Sequence, residues 1–381
     1  MSLFLLTFFL LYSGLHLYIF FKVKGAITFG TIPTILLVIF ITVMICAPVI
    51  VRVSEKYGFE FLARFISYIG YTWMGIAFFL FSCLILFDIY RFLIYICVAL
   101  FNINVYAFSP SPRIAVVFSL LASFLISSYG YFEALNIHKE TLTIKTSKIP
   151  KEIGKLTIVQ ISDVHLGLIV KEYRLKRILK KVKQANPDIL VSTGDLVDGQ
   201  IDNLKGLAEL LNDINPKYGK FAITGNHEFY AGLDQALNFT KKAGFEILRG
   251  EALTVAGLIN IAGIDDHAGK RYGLFREVSE KTLLTGLNHE LFTLLLKHRP
   301  VVDNSASGLF DLQLSGHTHK GQLFPFTLIT RLYFPNDSGV FNLQNKSYLY
   351  VNRGSGTWGP PLRFLSPPEV TVIELVYEDK K

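Results

Sequence analysis

The first third of the chain is apolar over lengths that no soluble helix face requires. Residues 3–21, 32–51, 65–87 and about 114–131 each approach the roughly 20 apolar residues that a helix needs to cross a hydrocarbon core about 30 Å thick. A further apolar stretch, 92–108, carries Asn102 and Asn104. It reads as a continuation of the third helix, a re-entrant piece or a fifth span; four spans is the arrangement expected. No basic n-region and no small-residue cleavage site precede Lys22, so a removable signal peptide is not expected. Residues 1–132 are therefore expected to form a transmembrane bundle of about four helices.

Past Phe132 the period of the pattern changes. Residues 133–154 read as a linker with an edge strand over 141–146, and 155–381 as a domain in which short β-rich runs alternate with amphipathic segments. Strands are predicted at 155–161, 188–193, 220–224, 291–297, 311–315, 339–343, 347–352 and 370–377. Helices are predicted at 170–185, 202–213 and 231–243. This alternation predicts an α/β fold with helices covering sheet. In such folds ligands collect beyond the carboxyl ends of strands.

Charge follows the same division. Up to Gly130 there are seven bases and three acids, leaving 31 bases and 27 acids for the remainder, so the net +8 is shared equally. That even spread does not mark a nucleic-acid binder; a mild attraction to anionic lipid is the more economical use of it. With four spans, Arg52, Lys56, Arg64 and the bases of 139–155 share a side opposite Lys22, Lys24, Arg91 and Arg113. That excess favours a cytoplasmic catalytic domain, whereas a fifth span would invert the orientation. Asp88 and Arg91, three residues apart, share a helix face and read as a mutually satisfied pair or as a polar notch in a transport path. Cys46, Cys83 and Cys97 all lie in the apolar third, where they read as buried thiols rather than ligands.

Five of the predicted strands end in polar clusters: Asp163-Val164-His165, Gly194-Asp195-Leu196-Val197-Asp198, Gly225-Asn226-His227-Glu228, His298, and Gly316-His317-Thr318-His319. Aspartate and asparagine oxygens with neutral imidazoles suit Mn, Zn, Fe, Co or Ni. Two divalent cations about 3.5–4 Å apart are a known means of hydrolysing phosphate esters through a shared hydroxide. A leaving alkoxide also needs a proton, which calls for an imidazole near the metals but not bound to them.

These clusters, in this order, resemble the calcineurin-like metallophosphoesterases over about 155–378. The resemblance implies a two-sheet β-sandwich flanked by helices, here preceded by the α-helical transmembrane bundle. It further implies that Asp163, His165 and His319 hold one divalent metal and Asn226, His298 and His317 a second, with Asp195 bridging. His227 would assist the leaving group, and Asp198 and Glu228 would orient imidazole or loop. Lys320 stands where the family usually has glycine, and Asp303 lies three residues beyond Pro300 rather than next to it. The whole chain resembles membrane-anchored bacterial members, some of which hydrolyse UDP-2,3-diacylglucosamine, a lipid-linked pyrophosphate. This points to the bacterial cytoplasmic membrane, with the bilayer as a partner, no nucleic acid, and an oligomeric state that the sequence leaves open.

Two arginines near the carboxyl end, Arg353 and Arg363, read either as a fork for a second phosphate or as structural ion pairs. The apolar segment 323–334 reads either as a flap against an acyl chain or as core; the basic helix 171–183 reads as a solvated face or an anionic-lipid contact. Three functions stay open. The first is hydrolysis of a phosphodiester or pyrophosphate bond in a lipid-linked substrate. The others are a general phosphodiesterase or phosphatase on soluble substrates, and a transporter or sensor with a regulatory phosphoesterase domain.

Overall fold

The computed structural model describes residues 3–101, 105–199, 204 and 206–379. It divides into two compact units, Met1–Phe132 with Gly359–Leu362, and Glu133–Trp358 with Arg363–Lys381.

In the first unit the apolar runs form α1 (Leu3–Ala26), α2 (Thr31–Lys56), α3 (Glu60–Phe101) and α4 (Pro112–Leu135). All four are long and apolar enough to cross a membrane. The 42-residue α3 absorbs the third expected span and the start of the ambiguous stretch as one helix, about 63 Å long at 1.5 Å per residue. Asn102 and Asn104 lie outside the described residues. The expected pairing of Asp88 with Arg91 is not what the structure shows. Asp88 accepts from Lys22 (2.6 Å) and Tyr18 (2.7 Å), and Arg91 donates to the carbonyl of Pro110 (2.7 Å). Tertiary partners on α1 and beyond α3 outcompete the local helical neighbour. Cys46 and Cys97, expected to be buried, are exposed on α2 and α3.

Among the described residues the second unit carries twelve strands: β1 (His138–Thr146), β2 (Lys155–Ile161), β3 (Ile189–Ser192), β4 (Lys220–Ala222), β5 (Glu246–Ile247), β6 (Glu251–Val255), β7 (Ile259–Gly263), β8 (Phe292–Leu296), β9 (Leu312–Ser315), β10 (Gly339–Asn342), β11 (Tyr348–Val351) and β12 (Glu369–Tyr377). Its helices are α5 (Glu172–Ala185), α6 (Leu207–Asn212), α7 (Asn226–Ala231), α8 (Leu233–Lys242), α9 (Gly269–Tyr272), α10 (Glu280–Thr285) and α11 (Phe326–Tyr333). The strands form two six-stranded mixed sheets, ordered β1-β12-β2-β3-β4-β5 and β10-β11-β9-β8-β7-β6.

Side chains alternate across each strand, so Leu156 and Ile158, Ile189 and Val191, Leu294 and Leu296, and Leu312 and Leu314 all enter one core shared by the two sheets. The opposite faces are buried too: Leu295 packs with Leu284 of α10 and Phe310. Truncating a fully buried residue such as Leu294 to alanine costs about 2–5 kcal/mol. Within the first sheet β2, β3 and β4 run parallel, and within the second β7, β8 and β9 do. Parallel pairing sends consecutive carboxyl ends to one edge of each sheet, which is where the polar clusters begin.

Candidate metal centre

The loop after β2 carries Asp163 and His165, that after β3 Asp195, and that after β4 Asn226 and His227; β8 ends before His298 and β9 before His317 and His319. Asp163, His165, Asp195, His317 and His319 all adopt left-handed φ, between 49° and 70°. Non-glycine residues held there cost on the order of 1–3 kcal/mol each and gather at functional sites. Lys320, where glycine was the expected family residue, also has φ 50°, a conformation in which glycine would be unstrained.

The side chains converge on two points. At one, His165 Nε2 lies 3.1 Å from His319 Nε2, and His319 Nε2 lies 3.4 Å from Asp163 Oδ1. At the other, His298 Nε2 lies 3.2 Å from His317 Nδ1 and 3.3 Å from Asn226 Oδ1. Asp195 Oδ2 is common to both, 3.8 Å from His165 Nε2 and 3.2 Å from His298 Nε2. Ligand atoms held about 2.1 Å from one ion stand roughly 3.0–3.4 Å from one another, so this spacing fits cation coordination.

The hydrogen-bond chemistry leads to the same fit. His298 Nδ1 lies 2.8 Å from the carbonyl of Thr193, which can only accept. A neutral His298 therefore presents a bare Nε2 lone pair to a carboxylate oxygen and an amide oxygen, an arrangement that needs positive charge between them. His165 Nδ1 is buried with no hydrogen-bond partner.

The electrostatics follow from crowding these buried groups together. Burial lowers His165 to about 4 and His317 to about 3, and burial with the Arg363 charge holds His319 well below the histidine range. Three imidazoles are thus neutral, as ligands must be. Burial, together with the Asp195 charge, pushes Asp163 up to about 6. Burial disfavours charge on His298, yet Asp195 and Asp163 outweigh it and lift that imidazole to about 10.

His227 stands beside this set, its ring 4.6 Å from that of His165. Its Nδ1 is 3.0 Å from Asp198 Oδ1; because a carboxylate can only accept, Nδ1 carries the proton and donates. Burial opposes a charge on His227, but Asp195 and Asp198 raise it to about 9. Glu228 serves the loops rather than the imidazole. It accepts the backbone N–H of Gly225 (2.7 Å), Asp195 (3.0 Å) and Leu196 (2.8 Å), tying the end of β3 to that of β4.

The two carboxy-terminal arginines are turned away from an incoming phosphate. Arg353 is ion-paired with Glu369 and Glu140. Arg363 is fully buried and donates to the carbonyls of Gly356 (2.6 Å) and Arg353 (2.7 Å). These contacts fit the structural reading of both residues, because backbone carbonyls and two glutamates take up donors of each guanidinium. Arg363 also lies 3.0 Å from His319 Nδ1 and so sits behind that imidazole.

The segment 323–334, expected as flap or core, is mostly exposed, with Leu323 and Thr327 buried. Its α11 leaves Leu332 81% and Tyr333 78% exposed, with Leu328 and Ile329 also outward. It is pinned by Thr327 to the carbonyl of Lys320 (2.8 Å) and by Arg331 to Asp337 (2.9 Å). The Phe334 ring that ends it packs edge-on to His317 at 5.3 Å. Trp358 and Tyr230 flank His227, with ring centroids 6.0 and 5.3 Å away. Neither aromatic was identified from the sequence; their proximity is tertiary. Asp265 and Asp266 were missed too. They follow β7 on the same rim as the other clusters, and recognising that strand would have flagged them.

Residues 156–321 match the family model for calcineurin-like phosphoesterases. An uncharacterized metallophosphoesterase of Aquifex aeolicus is 43% identical over 253 residues, covering 66% of this chain and 96% of that one. An uncharacterized metallophosphoesterase of Campylobacter jejuni is 36% identical, covering 67% and 69%. A zebrafish (Danio rerio) transmembrane protein with metallophosphoesterase domain is 34% identical, covering 68% and 62%. Two mixed sheets whose strand ends gather histidines and carboxylates define a metal-dependent phosphoester hydrolase. The chain belongs to the calcineurin-like phosphoesterase family, whose members use divalent metals.

Proposed function

We propose that this protein is a membrane-anchored phosphohydrolase that cleaves a phosphodiester or pyrophosphate bond in an amphiphilic, lipid-linked substrate such as UDP-2,3-diacylglucosamine. Residues 155–381 are its catalytic domain and 133–154 the connection to a four-span anchor. In this reading Asp163, His165 and His319 hold one divalent cation, Asn226, His298 and His317 the other, and Asp195 serves both. When bound, such a pair supplies charge neutralisation at the phosphoryl group and acidification of water. His227, oriented by Asp198, holds a proton beside the centre and delivers it to the departing oxygen. Glu228 keeps the Asp195 and Asn226 loops in register. Four spans leave both chain ends on one side, and the distribution of Lys and Arg favours the cytoplasmic side of the inner membrane.

The observation that carries the lipid-linked substrate is α11. An exposed apolar helix is expensive in water and marks a surface with an apolar partner. This one begins a few residues after His319 and ends at the Phe334 ring against His317, so an acyl chain lying on it would reach the metal centre. The relative described as a transmembrane protein supports the anchor. The test is a substrate panel with purified full-length protein and Mn²⁺: UDP-2,3-diacylglucosamine, glycerophosphodiesters, cyclic nucleotides and bis-p-nitrophenyl phosphate. The lipid-linked pyrophosphate should have the highest kcat/KM, and the L328S/L332S variant should lower it more than it lowers that for bis-p-nitrophenyl phosphate. A soluble diester preferred over every lipid-linked one, with the variant affecting all alike, would overturn the assignment.

A further inference from the structure

Arg299 follows His298 at the end of β8, and Asp266 lies just beyond the end of β7. The arginine grips the carboxylate at two points, Nε to Oδ2 at 2.7 Å and Nη2 to Oδ1 at 3.1 Å. The two side chains differ sharply in exposure, 30% for Arg299 against 1% for Asp266. The carboxylate is therefore buried beneath the guanidinium, and the face left to solvent is cationic. Asp266 is itself fixed: it accepts the N–H of Ala268 (2.8 Å), and its own N–H donates to Thr224 (3.2 Å). A guanidinium has five N–H groups, and this grip leaves the Nη1 edge available for a second bidentate contact.

The arginine is the next residue after His298, one of the candidate ligands, so its cationic face belongs to the same rim. Tyr230 is exposed, and its ring lies 5.3 Å from that of His227 at a tilt of 57°, on the same rim. A purely structural arginine has no need of a solvent-facing edge at this rim; Arg363, buried among carbonyls, shows what one looks like here.

We propose that Arg299, with the Tyr230 hydroxyl, forms an anion subsite that binds a second phosphoryl group of the substrate, next to the one being cleaved. The inference rests on the phosphohydrolase reading and sharpens it toward pyrophosphate diesters over simple phosphodiesters. Asp266 is a positioning residue that aims the guanidinium.

The test compares two chromogenic substrates on full-length protein with Mn²⁺: bis-p-nitrophenyl phosphate, with one phosphoryl group, and an alkyl p-nitrophenyl pyrophosphate diester, with two. R299Q should lower kcat/KM for the pyrophosphate about 10- to 100-fold more than for the phosphodiester, the span expected for a charge-assisted contact. The loss should fall on KM, because the distal charge is bound equally in ground and transition states. R299K, which keeps charge but not the fork, should recover part of the difference. Equal losses on both substrates, as a structural brace would give, or an unchanged ratio would overturn the subsite. If R299Q loses bound metal, the same ratio measured for R299K and Y230F decides. Wild-type protein inactive on both substrates would instead sink the underlying phosphohydrolase reading.

Discussion

Replacing Gly225 by alanine isolates one steric fact about the metal centre. A Cβ at that position would lie 2.2 Å from Asp195 Oδ1 and 2.6 Å from Asp195 N. Ordinary contact begins at 3.4 Å, so the carboxylate must retreat by about 1.2 Å, and the nearby backbone nitrogen blocks the methyl from yielding instead. Gly225 has φ −99°, which alanine adopts freely, so the effect is one of space and not of backbone dihedral. Retreat of Asp195 also breaks the 2.8 Å bond from the His227 N–H to its Oδ1. Overpacking costs about 1–3 kcal/mol and a lost charge-assisted hydrogen bond about 1.5–3, so roughly 2.5–6 kcal/mol falls on the site. If all of it appears in metal affinity, binding weakens about 60- to 20,000-fold. Metal content after gel filtration in micromolar Mn²⁺, with kcat/KM on bis-p-nitrophenyl phosphate, reads this directly. G286A is the control: its methyl would meet nothing within 4 Å, and metal content should stay at the wild-type level. A G225A protein with wild-type metal and turnover would refute the reasoning.

Other outcomes follow from the same geometry. H227A should keep its metal while turnover falls by roughly 10²–10⁴, the usual weight of a positioned acid; parallel loss of metal would make His227 a ligand instead. E228Q offers one acceptor oxygen where the carboxylate offers two to the N–H groups of Gly225, Asp195 and Leu196. Its thermal transition should drop by the equivalent of roughly 2–4 kcal/mol, and an unchanged Tm would remove Glu228 from the loop-tying role. Metal affinity should fall as pH drops through about 6. Burial and Asp195 hold the Asp163 carboxyl near that value, so below it the cation held by Asp163, His165 and His319 must displace a proton, at about tenfold per pH unit. Chelator competition between pH 5 and 7 checks this, and a flat profile would contradict it.

Much of the architecture was legible because its signals are local. Apolar length alone marked the four helices long enough to cross a membrane, and the run at 155–161 is the observed β2 without change. The clusters were legible because each follows its strand directly. What the pattern hid was tertiary. The β6–β7 hairpin was missed because Glu251–Val255 alternates only weakly, and with it went Asp265, Asp266 and the meaning of Arg299. The pairing of Asp88 with Lys22 joins residues 66 apart, beyond the reach of helix periodicity. Both arginines near the carboxyl end were ambiguous in sequence because a guanidinium serves a phosphate or a carbonyl equally well; only the surrounding carbonyls decide. Residues 323–334 stayed open between flap and core in the sequence, because composition alone does not say which face of α11 is exposed.

The central claim is that seven side chains from separate loops cage two cations around one reacting phosphate. Its most direct test is metal stoichiometry by mass spectrometry on the purified full-length protein, paired with Mn²⁺-dependent hydrolysis of bis-p-nitrophenyl phosphate, for wild type and D195A. The account predicts close to two ions per chain and measurable turnover for wild type, and loss of both for D195A, whose carboxylate lies between the two sets. A wild-type protein that binds no transition metal and releases no p-nitrophenol, or a D195A protein indistinguishable from it in metal and rate, would contradict the claim.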